Sequence, residues 1–276
     1  MSVVARLVRA REGAAGLVLL ATVLMAALLA PLFFPGDPLA IVGPALTPPF
    51  VDPALPLGTD RLGRDVLAGL FHGARASLLV GLAAAFVAVA FGTLVGAGAG
   101  LAGGVVDEAL MRLTEAFQTV PGFLLALAFV SVAGASLTVV VVAIALGAWT
   151  GPARLTRAEV LSIRSRDHVA AARVAGMRPV EIALREVLPN ALPPVLALAS
   201  VIVANAILVE AALSFLGLGD PNIVTWGSMI AEGRNVLRSA PFLSIVPGLG
   251  LVVTVLGVYL VSEGLAEALA VRKVRA

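Results

Sequence analysis

Residues 164–190 read RSRDHVAAARVAGMRPVEIALREVLPN, the longest polar segment in a chain that is otherwise mostly apolar. Arg164, Arg166, Arg173, Arg178 and Arg185 fall in it with Asp167, Glu181 and Glu186, and long uncharged runs lie further out on both sides. The pattern predicts a short helix through Val174, capped by Ser165 or Asp167. Gly176 allows a left-handed stop or a turn, Pro179 can start a second helix and Pro189 ends it. Ala170, Ala171 and Ala172 let another surface approach closely, and Arg173, Arg178 and Arg185 anchor it. A solvated basic loop against anionic lipid headgroups is the simpler alternative. That alternative gives no reason for the small residues or the glycine hinge.

The surroundings of this stretch set the class of the protein. The 276 residues are 60% hydrophobic and 13% charged, with a mean hydropathy of +1.04. Soluble domains carry about 25% charged residues, so the chain reads as an all-α polytopic membrane protein. Its high isoelectric point comes almost entirely from arginine, because Lys273 is the one lysine. The charges sit in short segments between apolar runs. Positive-inside topology explains them better than nucleic acid does. There is no cysteine, hence no disulfide or thiolate chemistry, and the two histidines, His72 and His168, are far apart.

Six spans are expected. Residues 1–36 hold a basic cytoplasmic tail and the first helix, whose uncharged run 13–36 is long enough to cross the bilayer. Residues 37–75 form a proline-rich outer loop, ending in a short interfacial helix capped by Thr59 or Asp60. Residues 76–276 form the remaining core. Within it, 76–106 is the second span, with Gly92 and Gly96 permitting close helix contact. The third begins at Asp107, keeps Glu108, Arg112 and Glu115 on one face, and kinks at Pro121–Gly122. The fourth covers about 137–153 and stops at Gly151–Pro152. The polar loop 154–190 follows, then a fifth span over 191–215, an outer loop over 216–242 and a sixth span over 243–262. Even-numbered crossing puts both termini on one side. That topology leaves 14 of the 19 Lys and Arg residues inside and five outside, Arg61, Arg64, Arg75, Arg234 and Arg238. The bias has the sign that cytoplasmic termini require.

Several functions are excluded. The one lysine is followed by valine, so no Walker A phosphate loop exists and any ATP must be handled by another chain. The spans lack the carboxylate and histidine chains of proton-coupled carriers; Glu210 stands alone near the outer end of the fifth. No Ser/His/Asp or HExxH arrangement supports a membrane enzyme.

The stretch 164–190 resembles the EAA loop of ATP-binding-cassette (ABC) importer permeases, through Ala170, Ala171, Ala172, Gly176 and Leu188–Pro189. The resemblance extends to LGTDRLGRDVLAGLFHGARASLLVG (57–81), LPNALPP (188–194), EAALSFLGLG (210–219) and WGSMIAEGRNVL (226–237). These are similar to the second permease of the dipeptide/oligopeptide/nickel group. The motif's glutamate is Ala170 here, and a histidine common before its Leu-Pro is Glu186.

The resemblance implies a type I importer permease fold in a bacterial or archaeal inner membrane. It implies a homologous second permease, an external substrate-binding protein and two ATPase subunits that bind ATP and Mg, with no cofactor in this chain. Residues Arg166, Asp167, Ala170, Ala171, Ala172, Arg173, Gly176, Arg185, Leu188 and Pro189 would form the coupling surface, with Arg173, Arg185 and Asp167 carrying the contact in place of the missing glutamate. Gln118, Asn205 and Glu210 are candidates for the substrate path. For Asn205 an interhelical hydrogen bond is the alternative, and for Glu210 capping or packing. The implied cargo is a di- or oligopeptide; nickel, a nickel chelate or another small solute such as glutathione is the alternative.

Overall fold

The computed structural model describes Leu7 and residues 10–273, with side chains as far as Leu265. Arg6, Arg9 and Arg275 lie outside the described residues, as do the side chains of Glu267, Arg272 and Lys273. Among the described residues the regular elements are helices, with two isolated bridges in the segment between the first two.

The first helix, α1, is Arg11–Phe33. The second, α2, is Val66–Ala102, 37 residues or about 55 Å at the α-helical rise. Its start corrects the expectation of a separate interfacial helix. The cap is Asp65, whose carboxylate accepts from the Leu67 amide at 2.8 Å, and the helix runs from there into the membrane without a break. Thr59 and Asp60 instead brace the turn before it. The Asp60 carboxylate accepts from the Leu62 and Arg64 amides, and the buried Thr59 hydroxyl accepts from the Thr47 amide.

Two bent pairs follow. Helices α3 (Gly104–Gln118) and α4 (Gly122–Ala133) meet at 80°, where Pro121 and its lost N–H interrupt the chain. Helices α5 (Leu137–Ala148) and α6 (Thr150–Arg164) meet at only 43°. The fourth span therefore does not stop at Gly151–Pro152. Pro152 sits in the first turn of α6, where amide groups have no intrahelical acceptor to lose, so it bends the path at Trp149 without ending it. Beyond lie α7 (Asp167–Val174), α8 (Pro179–Ile182), a wide π turn over Ala183–Val187 and α9 (Leu188–Phe215). The loop that follows carries α10 (Trp226–Gly233), opened by a reciprocal cap between Thr225 and Ser228. The last helix, α11, is Phe242–Lys273.

By length and composition, α1, α2, the stretch Pro179–Phe215 and Phe242–Leu265 can each cross a membrane. Taking each bent pair as one span brings the number to six.

Packing rests on small residues. Lipid is as apolar as leucine, so helices associate in membranes through close van der Waals contact. A Cβ added at Gly92 or Gly96 would run into the backbone of Trp149 or Ala153, and one at Gly100 into Val160. That stripe on α2 is what lets α5 and α6 lie against it. On other faces of α2, Val80 and Ala84 pack with Ala126, Val130, Ala143 and Leu213, and Ala74 packs with Ile207 and Trp226. Large side chains such as Leu32, Phe86 and Leu94 remain on the outside, the arrangement that a lipid- or partner-facing surface needs.

Candidate functional site

The polar stretch folds as a compact unit with its own core. Val160 and Ile163 of α6, Val169 of α7, Ile182 of α8, Val187 of the π turn and Ala191 of α9 are all buried together, with Ala172, Met177 and Leu188 packed at the edge. Helix α7 has no side-chain cap. Ser165 donates to the Ser162 carbonyl instead, and Asp167 lies in the first turn, where a carboxylate favours the positive end of the helix dipole.

Gly176 is the hinge that the sequence indicates. Its φ is +78°. The Gly176 amide donates to the Arg173 carbonyl at 3.0 Å and the Met177 amide to the Ala172 carbonyl at 3.1 Å. This is the Schellman closure, with its apolar contact made by Met177 in the small core. Pro179 starts α8 as expected. Pro189 does not end the segment. The Leu188 amide reaches back five residues to the Ala183 carbonyl, and this wider turn precedes the proline and carries the helix on into α9. A π turn is a known way for a helix to absorb an inserted constraint at a functional position.

Two arginines tie the unit to the bundle. Arg164 donates to the carbonyls of Gly100 and Leu101, the latter at 2.9 Å, and so covers the C-terminal carbonyls of α2. Arg157 holds Asp107 through both carboxylate oxygens, at 2.5 and 2.6 Å, which fixes α6 to α3.

The exposed surface of the unit is both apolar and basic. Arg166, Asp167, Ala170, Ala171, Arg173, Gly176, Arg185 and Pro189 are exposed. Ala172 and Leu188 are half-buried against the small core. Arg185 is paired with Glu181 one turn earlier at 2.6 Å. Among these charges stand Val174, Val180 and Leu184, exposed by 90, 68 and 61%. Composition marks the segment as polar, so these three escape a charge-based reading. The signal for them is positional: they are the apolar residues of α7, α8 and the π turn that the buried set Val169, Ile182 and Val187 does not use.

The three candidates for the substrate path are not brought together by any hydrogen bond. Gln118 is exposed at the end of α3 and accepts from Arg154 at 2.9 Å. Asn205 is exposed midway along α9, and no described interhelical bond engages it. Glu210 is 2% exposed. Its carboxylate accepts from Ser214 at 2.7 Å and from Ser77 at 3.4 Å. The Trp226 amide in turn donates to Ser77. In this conformation Glu210 joins α2, α9 and the start of α10, the packing role that its position allows.

Comparison with known proteins agrees with this architecture. Residues 88–275 match the model of the family described as binding-protein-dependent transport system inner membrane component. The probable peptide ABC transporter permease protein y4tQ of Sinorhizobium fredii is 41% identical over 242 residues, which cover 87% of this chain and 82% of the relative. The di/tripeptide transport system permease protein DppC of Pseudomonas aeruginosa is 40% identical, covering 77% of this chain and 71% of the relative. The oligopeptide transport system permease protein OppC of Haemophilus influenzae is 37% identical, covering 77% and 68%. The chain belongs to the family of inner-membrane components of binding-protein-dependent transport systems.

Proposed function

We propose that this protein is one of two membrane subunits of an ATP-driven importer of di- and oligopeptides. Relatives named for peptide, di/tripeptide and oligopeptide transport support the cargo class. The observation that carries the mechanism is the exposure of Val174, Val180 and Leu184 among Arg173, Arg178 and Arg185, on a unit closed by Gly176; in this reading the three form one ridge. Exposed apolar side chains of this size, rimmed by charge, suit a protein partner better than water or headgroups.

In this reading the ridge lies on the cytoplasmic side, with both termini, and docks an ATPase subunit that supplies ATP and Mg. Its coupling residues are Arg166, Asp167, Ala170, Ala171, Ala172, Arg173, Gly176, Arg185, Leu188 and Pro189. Closure of the ATPase pair moves the ridge. The small core of Val160, Ile163, Val169 and Ile182 makes α6 to α9 move as one piece. Arg157 and Arg164 pass the motion to α3 and α2. Nucleotide thus shifts the population between inward-open and outward-open packings. A homologous second permease completes the path, along which Asn205, Gln118 and, on rearrangement, Glu210 are the polar candidates. An external binding protein delivers the peptide.

Reconstitution of the chain with its partner permease, ATPases and binding protein in liposomes tests this. ATP-dependent uptake of a labelled dipeptide is expected. Uptake of nickel and not of peptide, or ATP-independent uptake driven by a proton gradient, would overturn it.

A further inference from the structure

Between α3 and α6 lies an open polar cavity of about 550 Å³. Three carboxylates, Asp107, Glu108 and Glu115, and three guanidinium groups, Arg112, Arg154 and Arg157, line it. Their charges cancel, so the cavity has no bias toward a simple anion or cation. Four of the six are already paired, Asp107 with Arg157 and Glu108 with Arg112. Glu115 and Arg154 are the two left without an ionic partner among the described residues. Arg154 is parked instead on a neutral acceptor, the Gln118 amide oxygen at 2.9 Å. Gln118 lies one turn beyond Glu115 on α3, and side chains so spaced are about 5–6 Å apart at Cβ. The cavity therefore offers one free negative group on α3 and one free positive group on α6. Met111 adds a flexible apolar lining.

We propose that this cavity is a binding site for a zwitterionic di- or tripeptide, with Arg154 taking the terminal carboxylate and Glu115 the terminal ammonium. Two residues of extended chain span at most about 7 Å, short enough to lie within the cavity with both ends engaged. The volume falls within the range of small-molecule sites, about 300–1,000 Å³. A carboxylate displaces the Gln118 amide from Arg154 because it is itself ionised and can be gripped by two parallel N–H donors. Gln118 is the last residue of α3 before the 80° bend, so occupancy releases the side-chain bond that ties this end of α3 to α6. The inference rests on the peptide-importer reading, in which this cavity lies at the inner mouth and meets peptide that has been released.

The test uses the complete permease–ATPase complex in nanodiscs, without binding protein, titrated with tritiated alanyl-alanine. Saturable binding is expected. It should weaken about tenfold when the amino terminus is acetylated or the carboxyl terminus amidated, and by a similar factor in Arg154→Gln and Glu115→Gln. The blocked peptides probe the unaltered protein, so misfolding of a variant does not decide the result. Equal binding of free and blocked dipeptides overturns the site, and so does unchanged binding in both variants. Nanodiscs with and without phosphatidylethanolamine separate a second zwitterion, the lipid headgroup. Binding seen only without that lipid makes this a headgroup site and sinks the proposal. If the complex imports alanyl-alanine from its binding protein while any of these outcomes holds, the cavity alone is wrong. If it imports no peptide, the functional reading fails and the site falls with it.

Discussion

The guanidinium of Arg164 donates to the backbone carbonyl of Leu101 at 2.9 Å, across 63 residues of sequence. A helix end leaves carbonyls without intrahelical donors, and it carries partial negative charge. Arg164 meets both needs from the last turn of α6, and so fastens the polar unit to the C-terminal end of α2.

Arg164→Ala should therefore loosen the unit without unfolding the bundle. A charged hydrogen bond of this kind contributes about 1.5–3 kcal/mol. Faster amide exchange is expected at the end of α2 and across α7, with assembly intact and less uptake per ATP hydrolysed. Arg164→Lys keeps the charge but not the two-pronged geometry, and should recover part of the loss. Unchanged exchange in Arg164→Ala would show that the tether is idle.

Gly176 makes a graded prediction. A Cβ there meets nothing within 4 Å, so the obstacle is its φ of +78° and not a clash. A non-glycine residue in this region costs about 1–2 kcal/mol, and asparagine tolerates it best. Gly176→Asn should stay close to wild type, Gly176→Ala should fall in between, and Gly176→Val should uncouple hydrolysis from uptake and weaken ATPase binding. A ranking by side-chain volume, with asparagine worse than alanine, would point to a steric contact in the complex instead.

The contact between α10 and the turn before α2 predicts a pH effect. Glu232 of α10 faces Arg64, 3.4 Å away, with Asp60 near by. Burial holds its carboxyl above the usual glutamate range, repulsion from Asp60 adds to this, and Arg64 opposes it. A raised acid binds its proton more tightly when folded, so protonation stabilises the fold. That contribution is full below the ordinary glutamate range and is lost as pH rises through the raised value. Glu232→Gln lacks it. At neutral pH the variant should be at least as stable as the wild type, and wild type should gain on it as pH falls through the window just above the ordinary range. The effect is small, because the side chain keeps 41% of its exposure. Melting temperatures of both proteins across that window check it, and a gap that widens in the variant's favour on acidification contradicts the assignment.

What the sequence made legible follows from how local the cause is. The Gly176 turn and the Pro179 start depend on φ and a missing N–H, both properties of single residues, and both stand where they were read. The stops assigned to Pro152 and Pro189 are the same rule applied without its neighbours. Pro152 falls in a first turn created by the bend at Trp149, which Phe91 and Phe117 hold edge-on at centroid distances of 5.1 and 5.3 Å. Pro189 is absorbed by a π turn that no residue of the stretch announces. Both depend on packing from elsewhere in the chain. Buried Glu210 likewise takes one of its hydrogen-bond donors from Ser77, 133 residues away. Val174, Val180 and Leu184 could be separated from the core set only once the direction of α7 relative to α8 was known.

Those three residues give the sharpest test of the coupling surface. If they seat in an ATPase subunit, each is desolvated in the complex and exposed in the free permease. Full burial of a valine or leucine contributes about 1.5–3 kcal/mol, and a carboxylate forced into the same pocket adds the cost of an unpaired buried charge. Leu184→Asp should then lower ATPase co-purification by well over tenfold, and Val180→Asp should do much the same. Insertion and pairing with the second permease should persist, because neither residue touches the bundle core. Val174→Ala removes only part of one contact and should cost a few-fold. If the segment instead lay on lipid headgroups, Arg173→Gln and Arg178→Gln would lower retention on anionic vesicles while Leu184→Asp left ATPase binding untouched. That pattern would return the stretch to the simpler reading as a basic surface loop.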